Sequence, residues 1–166
     1  MPELPEVEVV TRSLKKTIKN RKIIKIIVNN RNLRFKLPKN FESILKNKIV
    51  KNITRKSKYI IFDFGNNFYT ILHLGMSGTL HIPSNKNVTN LSFYSNPTLP
   101  KKHNHIIIEF DKIKLIYNDP RRFGYFKILN NKYDFNNYFT RIGPEALDKG
   151  FNSVSYTHLT LPTIGC

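Results

Sequence analysis

A chain of 166 residues, 40% of them hydrophobic, is one domain of ordinary size that can bury about two-thirds of the surface it exposes unfolded, which excludes a disordered tail or a coiled-coil rod. Its 28 Lys and Arg against 11 Asp and Glu give a net charge of +17, which sets aside most small-molecule enzymes and points to a polyanionic partner. A single Cys at position 166, no apolar run near about 18 residues, and an acidic start without an apolar core exclude a disulfide scaffold, a Cys-rich zinc site, a membrane span and a signal peptide; the expected compartment is the bacterial-type cytoplasm.

The first predicted element is a helix. Leu4, Val7, Val10, Leu14 and Ile18 recur at three- and four-residue steps, the stripe of one helix face. Pro5 suits the first turn, where a missing N–H costs nothing. Glu3, Glu6 and Glu8 sit at the positive end and Arg12, Lys15, Lys16 and Lys19 toward the negative end, both in agreement with the helix dipole. Asn20 is the expected stop. Strands follow at 22–28 and 49–53, rich in β-branched residues, with a short helical piece at 41–45 capped by Asn40 between them. Segments 59–64 and 68–74 flank Gly65, Asn66 and Asn67, a hairpin; 106–110 and 114–117 flank Asp111 and Lys112, a second hairpin; 125–129 is a further strand. Residues 84–102 read as a polar, Pro-containing loop. Several short strands after a helix predict a mainly β, α+β fold: a two-layer β-sandwich or barrel with helices at its edges. From Val154 to Cys166 no charged residue occurs, an abrupt shift that marks 154–166 as a non-native or divergent tail.

Three segments carry chemistry. If Met1 is removed, Pro2 becomes the terminus, a secondary amine able to form an iminium with an aldehyde-like carbon. An α-amino group titrates near about 8, far below lysine, so more of it is neutral. Glu3 adjoins that amine and Glu6 lies three residues on, on the same helical face, so proton transfer beside the nucleophile is available; a helix start with capping acids is the ordinary alternative. In Asp119-Pro120-Arg121-Arg122-Phe123-Gly124, two Arg and an aromatic suit phosphate contact and stacking, with Arg121 and Phe123 on one side if the segment is extended; a β-turn with a solvated Arg pair is the alternative. In His73-Leu74-Gly75-Met76-Ser77-Gly78, the flanking glycines would present Met76 as an apolar wedge between base pairs, against a core Met at a strand end. His103 and His105 alternate after Lys101 and Lys102. No third ligand completes a zinc site with them, so phosphate or structural roles are expected. Lys58, at a strand start, is unremarkable alone.

Taken in order, PELPEVE at 2–8, Lys58-Tyr59, HLGMSG at 73–78, KHNH at 102–105, NDPRRFG at 118–124 and IGPEAL at 142–147 resemble the formamidopyrimidine-DNA glycosylase family, over about residues 2–153. PELPE is similar to this branch rather than to the related endonuclease VIII branch. The resemblance implies excision of oxidised purines such as 8-oxoguanine and formamidopyrimidines from double-stranded damaged DNA, followed by β,δ-elimination at the abasic site. It assigns Pro2 to attack on the sugar C1′, Glu3 to proton donation, Glu6 to the same amine-side cluster and Lys58 to β-elimination and phosphate contact. Met76, Arg121 and Phe123 match the trio that fills the gap left by the flipped nucleotide, and His73 and His103 match DNA-contacting histidines. It further implies an N-terminal domain built as a β-sandwich flanked by helices. Full family members continue into a helix–two-turn–helix module and a four-Cys finger holding one structural zinc. With one Cys, this sequence is expected to be the N-terminal catalytic domain alone, monomeric, without cofactor and weak or inactive on lesions. The competing expectations are a noncatalytic basic nucleic-acid-binding module and an inactive fragment that folds poorly.

Overall fold

The computed structural model describes residues 3–83, 88–90 and 100–140; Pro2, the 142–147 motif and the 154–166 tail lie outside the described residues. Helix α1, Leu4–Ile18, buries Val7, Val10, Thr11, Leu14 and Ile18, the predicted stripe except that Leu4 is only half-buried and Thr11 is added: Thr11 tolerates burial because its hydroxyl donates to the Val7 carbonyl at 2.8 Å. The helix ends where Asn20 takes a left-handed φ of 67°, a conformation Asn accepts more readily than most residues.

Strand β1 (Ile23–Val28) and helix α2 (Phe41–Leu45) follow. Asn40 precedes α2 as expected, but its side chain makes no cap; its backbone carbonyl instead accepts from Ile44 N–H at 2.9 Å. Strands β2 (Asn52–Lys56), β3 (Tyr59–Asp63), β4 (Tyr69–His73), β5 (Thr79–Pro83) and β6 (Val88–Asn90) lead to a 3-10 turn at Lys101–His103, then β7 (Asn104–Phe110), β8 (Ile113–Asn118), β9 (Tyr125–Leu129) and helix α3 (Lys132–Thr140). Both predicted hairpins form, with Asn66, Asn67 and Lys112 at positive φ in their turns. The strand expected at 49–53 is displaced to Asn52–Lys56, leaving Ile49 in a single bridge with Lys22. Strands β5 and β6 and helix α3 lie outside every predicted element, and β6 and the 3-10 turn break the segment expected to be loop.

The strands form two antiparallel sheets, β1-β7-β8-β5-β6 and β2-β3-β4-β9. Ile26, Ile106, Ile108 and Leu115 of the first meet Ile53, Ile60, Phe62 and Leu72 of the second in one core, which the buried face of α1 joins. This is the expected α+β sandwich with flanking helices. The second sheet is also apolar on its outer face: Ile61, Tyr69, Ile71 and Leu129 are covered by Phe139 of α3. That burial holds α3 in a sequence of poor helix propensity, Lys-Tyr-Asp-Phe-Asn-Asn-Tyr-Phe-Thr. Among the described residues no helix is long and apolar enough to cross a membrane.

One core position is misfitted. Thr70 is 2% exposed, its Oγ1 has no hydrogen-bond partner among the described residues, and it borders a small apolar cavity lined with Val50, Phe62, Phe64 and Phe110. Thr70→Val replaces a desolvated hydroxyl by a methyl of the same shape. It is expected to raise stability by about 1 kcal/mol, read as a higher urea midpoint with unchanged m-value.

Candidate active site and nucleic-acid interface

The N-terminal end of α1 meets the β2–β3 turn. Glu6 accepts the backbone N–H of Glu3 at 3.0 Å, so the first turn is capped by its own acid. Lys58 Nζ stands 3.3 Å from Glu3 Oε2, with Glu3 61% and Lys58 18% exposed. Glu8, one turn on, receives Arg55 Nε at 2.6 Å and Arg12 Nε at 2.8 Å, and Arg55 Nη1 also donates to the Ser57 carbonyl at 2.8 Å. Burial alone would raise the Glu8 carboxyl, but the bonds from Arg55 and Arg12 outweigh it and hold the acid below its ordinary value. The buried Arg55 thus ties helix, strand and turn together, and Lys58 is delivered to Glu3 by a fixed frame.

A second group forms where the β4–β5 loop meets the β8–β9 loop. Gly75 has φ +65°, and a Cβ there would lie 2.4 Å from the backbone nitrogen of Gly124, so the two loops touch backbone to backbone. Met76 and Phe123 are 46% and 43% exposed. Arg121 is bound to both: Nη1 is 3.8 Å from the Met76 sulfur, and its guanidinium lies 5.5 Å from the Phe123 ring centroid. The segment is a turn rather than an extended strand. Arg122 N–H closes a turn onto the Asp119 carbonyl at 3.3 Å and Arg122 takes φ 58°, yet the turn still brings Arg121 and Phe123 together.

Asp119, fully buried, organises this junction. Its Oδ1 accepts from Ser77 Oγ at 2.6 Å and Arg122 N–H at 3.0 Å; its Oδ2 accepts from Gly124 N–H at 2.9 Å and from the Tyr117 hydroxyl. Burial and the adjacent Asp119 carboxylate push Tyr117 far above the ordinary phenol range. Ser77 Oγ also accepts Arg121 N–H at 3.1 Å, so one hydroxyl joins the loop carrying Met76 to the turn carrying Arg121.

His73 lies between the two groups. Its ring meets Tyr59 edge-on at 5.0 Å and stacks on Tyr125 at 5.6 Å. The hydroxyl of Tyr125 bonds those of Tyr138 at 2.7 Å and Tyr59 at 3.4 Å; burial first, then the bond with Tyr125 for Tyr59 and the bond with Tyr138 for Tyr125, push both phenols up to about 12. Burial, with the charges of Arg34 and Lys58, pushes His73 down to about 4. Gly75 N–H donates to His73 Nδ1 at 3.0 Å, so Nδ1 keeps its lone pair and Nε2 carries the proton. With a folded value below the unfolded one, the unfolded chain binds more protons between about pH 4 and 6.5. The stability His73 contributes is therefore complete above about 6.5 and lost as pH falls toward 4. An NMR titration is expected to place its midpoint near pH 4, with no shift change between pH 6 and 8; a midpoint near 6.5 would contradict the half-buried, neutral ring.

The structure therefore joins Glu3, Glu6 and Lys58 in one cluster and Met76, Arg121 and Phe123 in another, with His73 between. His103 sits beside His105, ring centroids 6.4 Å apart, and its carbonyl accepts Asp119 N–H at 3.0 Å. Buried His105 donates Nε2–H to the Asp119 carbonyl at 2.7 Å, a structural bond. Sequence reading missed Asp119 and Ser77 as organisers, although both lie inside the motifs it singled out, and Asp119 is a lone acid in a basic run. Among the described residues no three His, Cys, Asp or Glu side chains could together hold a metal ion.

Residues 1–126 match the family model for the formamidopyrimidine-DNA glycosylase N-terminal domain. The chain belongs to this family. Relatives named formamidopyrimidine-DNA glycosylase include one from Wolbachia pipientis subsp. Culex pipiens, 42% identical over 153 residues covering 92% of this chain and 52% of the relative. Another, from Allorhizobium ampelinum, is 33% identical and covers 92% and 54%. Among solved structures, the Lactococcus lactis formamidopyrimidine-DNA glycosylase bound non-covalently to DNA containing an abasic site is 32% identical, with a TM-score of 0.71 over 87% of this chain and 52% of that one. A second Lactococcus lactis complex with abasic-site DNA gives a TM-score of 0.72 at 32% identity, over 87% and 50%. The chain spans about half the length of the curated glycosylases it matches. The family match includes every position, from Pro2 to Phe123, at which a site residue was expected.

Proposed function

We propose that residues 2–153 are the catalytic N-terminal domain of a bacterial DNA glycosylase and AP lyase of base excision repair, acting on oxidised purines in duplex DNA. The observation that carries this is the Glu3–Lys58 pair at the mouth of α1, one residue from Pro2 in a family-matched chain. On this reading, the Pro2 nitrogen lone pair forms a bond to the sugar C1′ as the bond from C1′ to the base breaks. The departing base takes up the proton that the amine nitrogen loses, leaving an aminal; the nitrogen lone pair then breaks the C1′–O4′ bond to give the iminium, and Glu3 supplies the proton that O4′ takes as the sugar ring opens. The iminium acidifies the C2′ protons, so loss of one expels the 3′ phosphate. Lys58, a cation held beside Glu3, contacts that phosphate. Met76, Arg121 and Phe123 fill the space vacated by the flipped nucleotide, and His73 and His103 bind the backbone, His73 as a neutral Nε2–H donor.

Borohydride trapping on duplex DNA containing an abasic site tests the assignment. A covalent adduct is expected at Pro2, mapped by mass spectrometry after removal of Met1. Pro2→Gly is expected to weaken trapping, and a retained Met1 to abolish it. An adduct confined to an internal Lys would overturn the role of Pro2. Salt-sensitive DNA binding with no adduct would favour the noncatalytic basic module, for which the charge of +17 suffices.

A further inference from the structure

We propose that Arg34 and Phe35, on the loop between β1 and α2, form a further nucleic-acid subsite: Phe35 is a ledge for the apolar face of one nucleotide of the bound strand, and Arg34 holds a phosphate beside it. The inference rests on the DNA-binding reading above and adds a segment that none of the sequence motifs contains.

The loop is built to turn these two residues outward. Leu33 and Leu37 enter the core, 7% and 2% exposed, whereas Phe35 between them is 55% exposed. The backbone is fixed on both sides. Arg34 N–H donates to the Gly124 carbonyl at 3.2 Å, and Leu37 N–H to the Arg31 carbonyl at 3.0 Å. Arg122 Nη1 reaches the Asn32 carbonyl at 3.2 Å, and Arg31 pairs with Glu42. The Phe35 ring is propped edge-on against Tyr125, centroids 4.8 Å apart at 80°, while more than half of the residue stays open to solvent. The Arg34 guanidinium stands 5.6 Å from the same ring. A ring held rigid and left uncovered loses little conformational entropy when a flat ligand stacks on it.

Position and charge identify the ligand. Through Gly124 the loop adjoins the Phe123 turn, and through Tyr125 it adjoins His73 and Tyr59. It therefore lies between the wedge and the amine-side cluster, where a strand contacting both must pass. Residues 29–39 contain Arg31, Arg34, Lys36 and Lys39 and no acid. Cations interleaved with an exposed aromatic are the chemistry of a nucleic-acid backbone groove with a stacking platform; a neutral or cationic partner would gain nothing from the charge.

The test is fluorescence-anisotropy titration of the full chain with a fluorescein-labelled duplex carrying a tetrahydrofuran abasic analogue, over a series of salt concentrations. Phe35→Leu keeps an apolar cover on Tyr125 but removes the flat face, and is expected to weaken binding about fivefold or more; Phe35→Tyr is expected to retain it. Arg34→Ala is expected to flatten the slope of log K against log salt by about one. The thermal midpoint and the His73 resonance, monitored in parallel, are expected to stay unchanged in Phe35→Leu, which separates a ligand contact from a structural one. Wild-type affinity and slope in both Phe35→Leu and Arg34→Ala would overturn the subsite while leaving the DNA-binding reading intact. No salt-sensitive binding by the unmodified chain would overturn both.

Discussion

Asp119→Ala is expected to destabilise the fold by about 3–5 kcal/mol, a large share of the 5–15 kcal/mol that holds a typical domain together. The carboxylate is fully buried and accepts from Ser77, Tyr117, Arg122 and Gly124. Alanine leaves the Tyr117 hydroxyl and the Gly124 N–H, both buried, facing a void that neither can fill. Asp119→Asn keeps the shape but turns an NH₂ toward N–H and O–H donors, so an intermediate loss is expected. Ser77→Ala is the local counterpart. It breaks the bridge to Arg121 N–H and one bond to Asp119, should cost about 1 kcal/mol, and should free the Met76 loop from the Arg121 turn. Urea unfolding of the three variants checks the order Asp119→Ala, Asp119→Asn, Ser77→Ala; an Asp119→Ala midpoint equal to wild type would show that the four bonds are not what holds the loops together.

What could be read from the sequence follows the range of the forces involved. The stripe of α1, the Gly65-Asn66-Asn67 turn and the Asp111-Lys112 turn are written within a few residues, and each appears where expected. Helix α3 is not written locally. Its Asn- and aromatic-rich sequence is helical because Phe139 has the outer face of the second sheet to cover, a surface assembled from three strands, two of them distant in sequence. Asn40 carries a cap-forming side chain, yet the backbone carbonyl alone serves. An extended segment would place Arg121 and Phe123 on one side; the β-turn given as the alternative forms instead, and Asp119 ties it to Ser77 42 positions away, a contact that no local spacing encodes. Glu3 and Glu6 stand out at the acidic helix start, whereas Lys58 is unremarkable alone and is marked only by the family resemblance. Their assembly depends on the buried Arg55 reaching Glu8 across 47 positions, a contact visible only once the helix lies on β2. Nothing local distinguishes Phe35 from Leu33 and Leu37, with which it alternates; the structure alone shows which of the three faces outward.

On the glycosylase reading proposed above, replacing Met76, Arg121 and Phe123 together by Ala is expected to slow whatever base excision the chain performs on a duplex tenfold or more, with little change in stability. All three side chains are exposed, and exposed positions away from the core shift stability by only about 0.5 kcal/mol. Their contacts are chiefly with one another, Arg121 to the Met76 sulfur and to the Phe123 ring, so they form one finger and should be removed as one. A flipped nucleotide leaves its neighbours unstacked at a cost of a few kcal/mol, and an inserted side chain that stacks returns about 1–3 kcal/mol per base. Excision from an intact duplex must meet that cost in full. Cleavage at a preformed abasic site does not, because no base has to be withdrawn from the stack. Single-turnover rates on paired substrates, one with an oxidised purine and one with an abasic site in the same sequence, should therefore diverge, the first falling far more than the second. Equal losses on both would mean that the trio supports the fold or general DNA affinity, and the wedge assignment would fall while the role of Pro2 still stood.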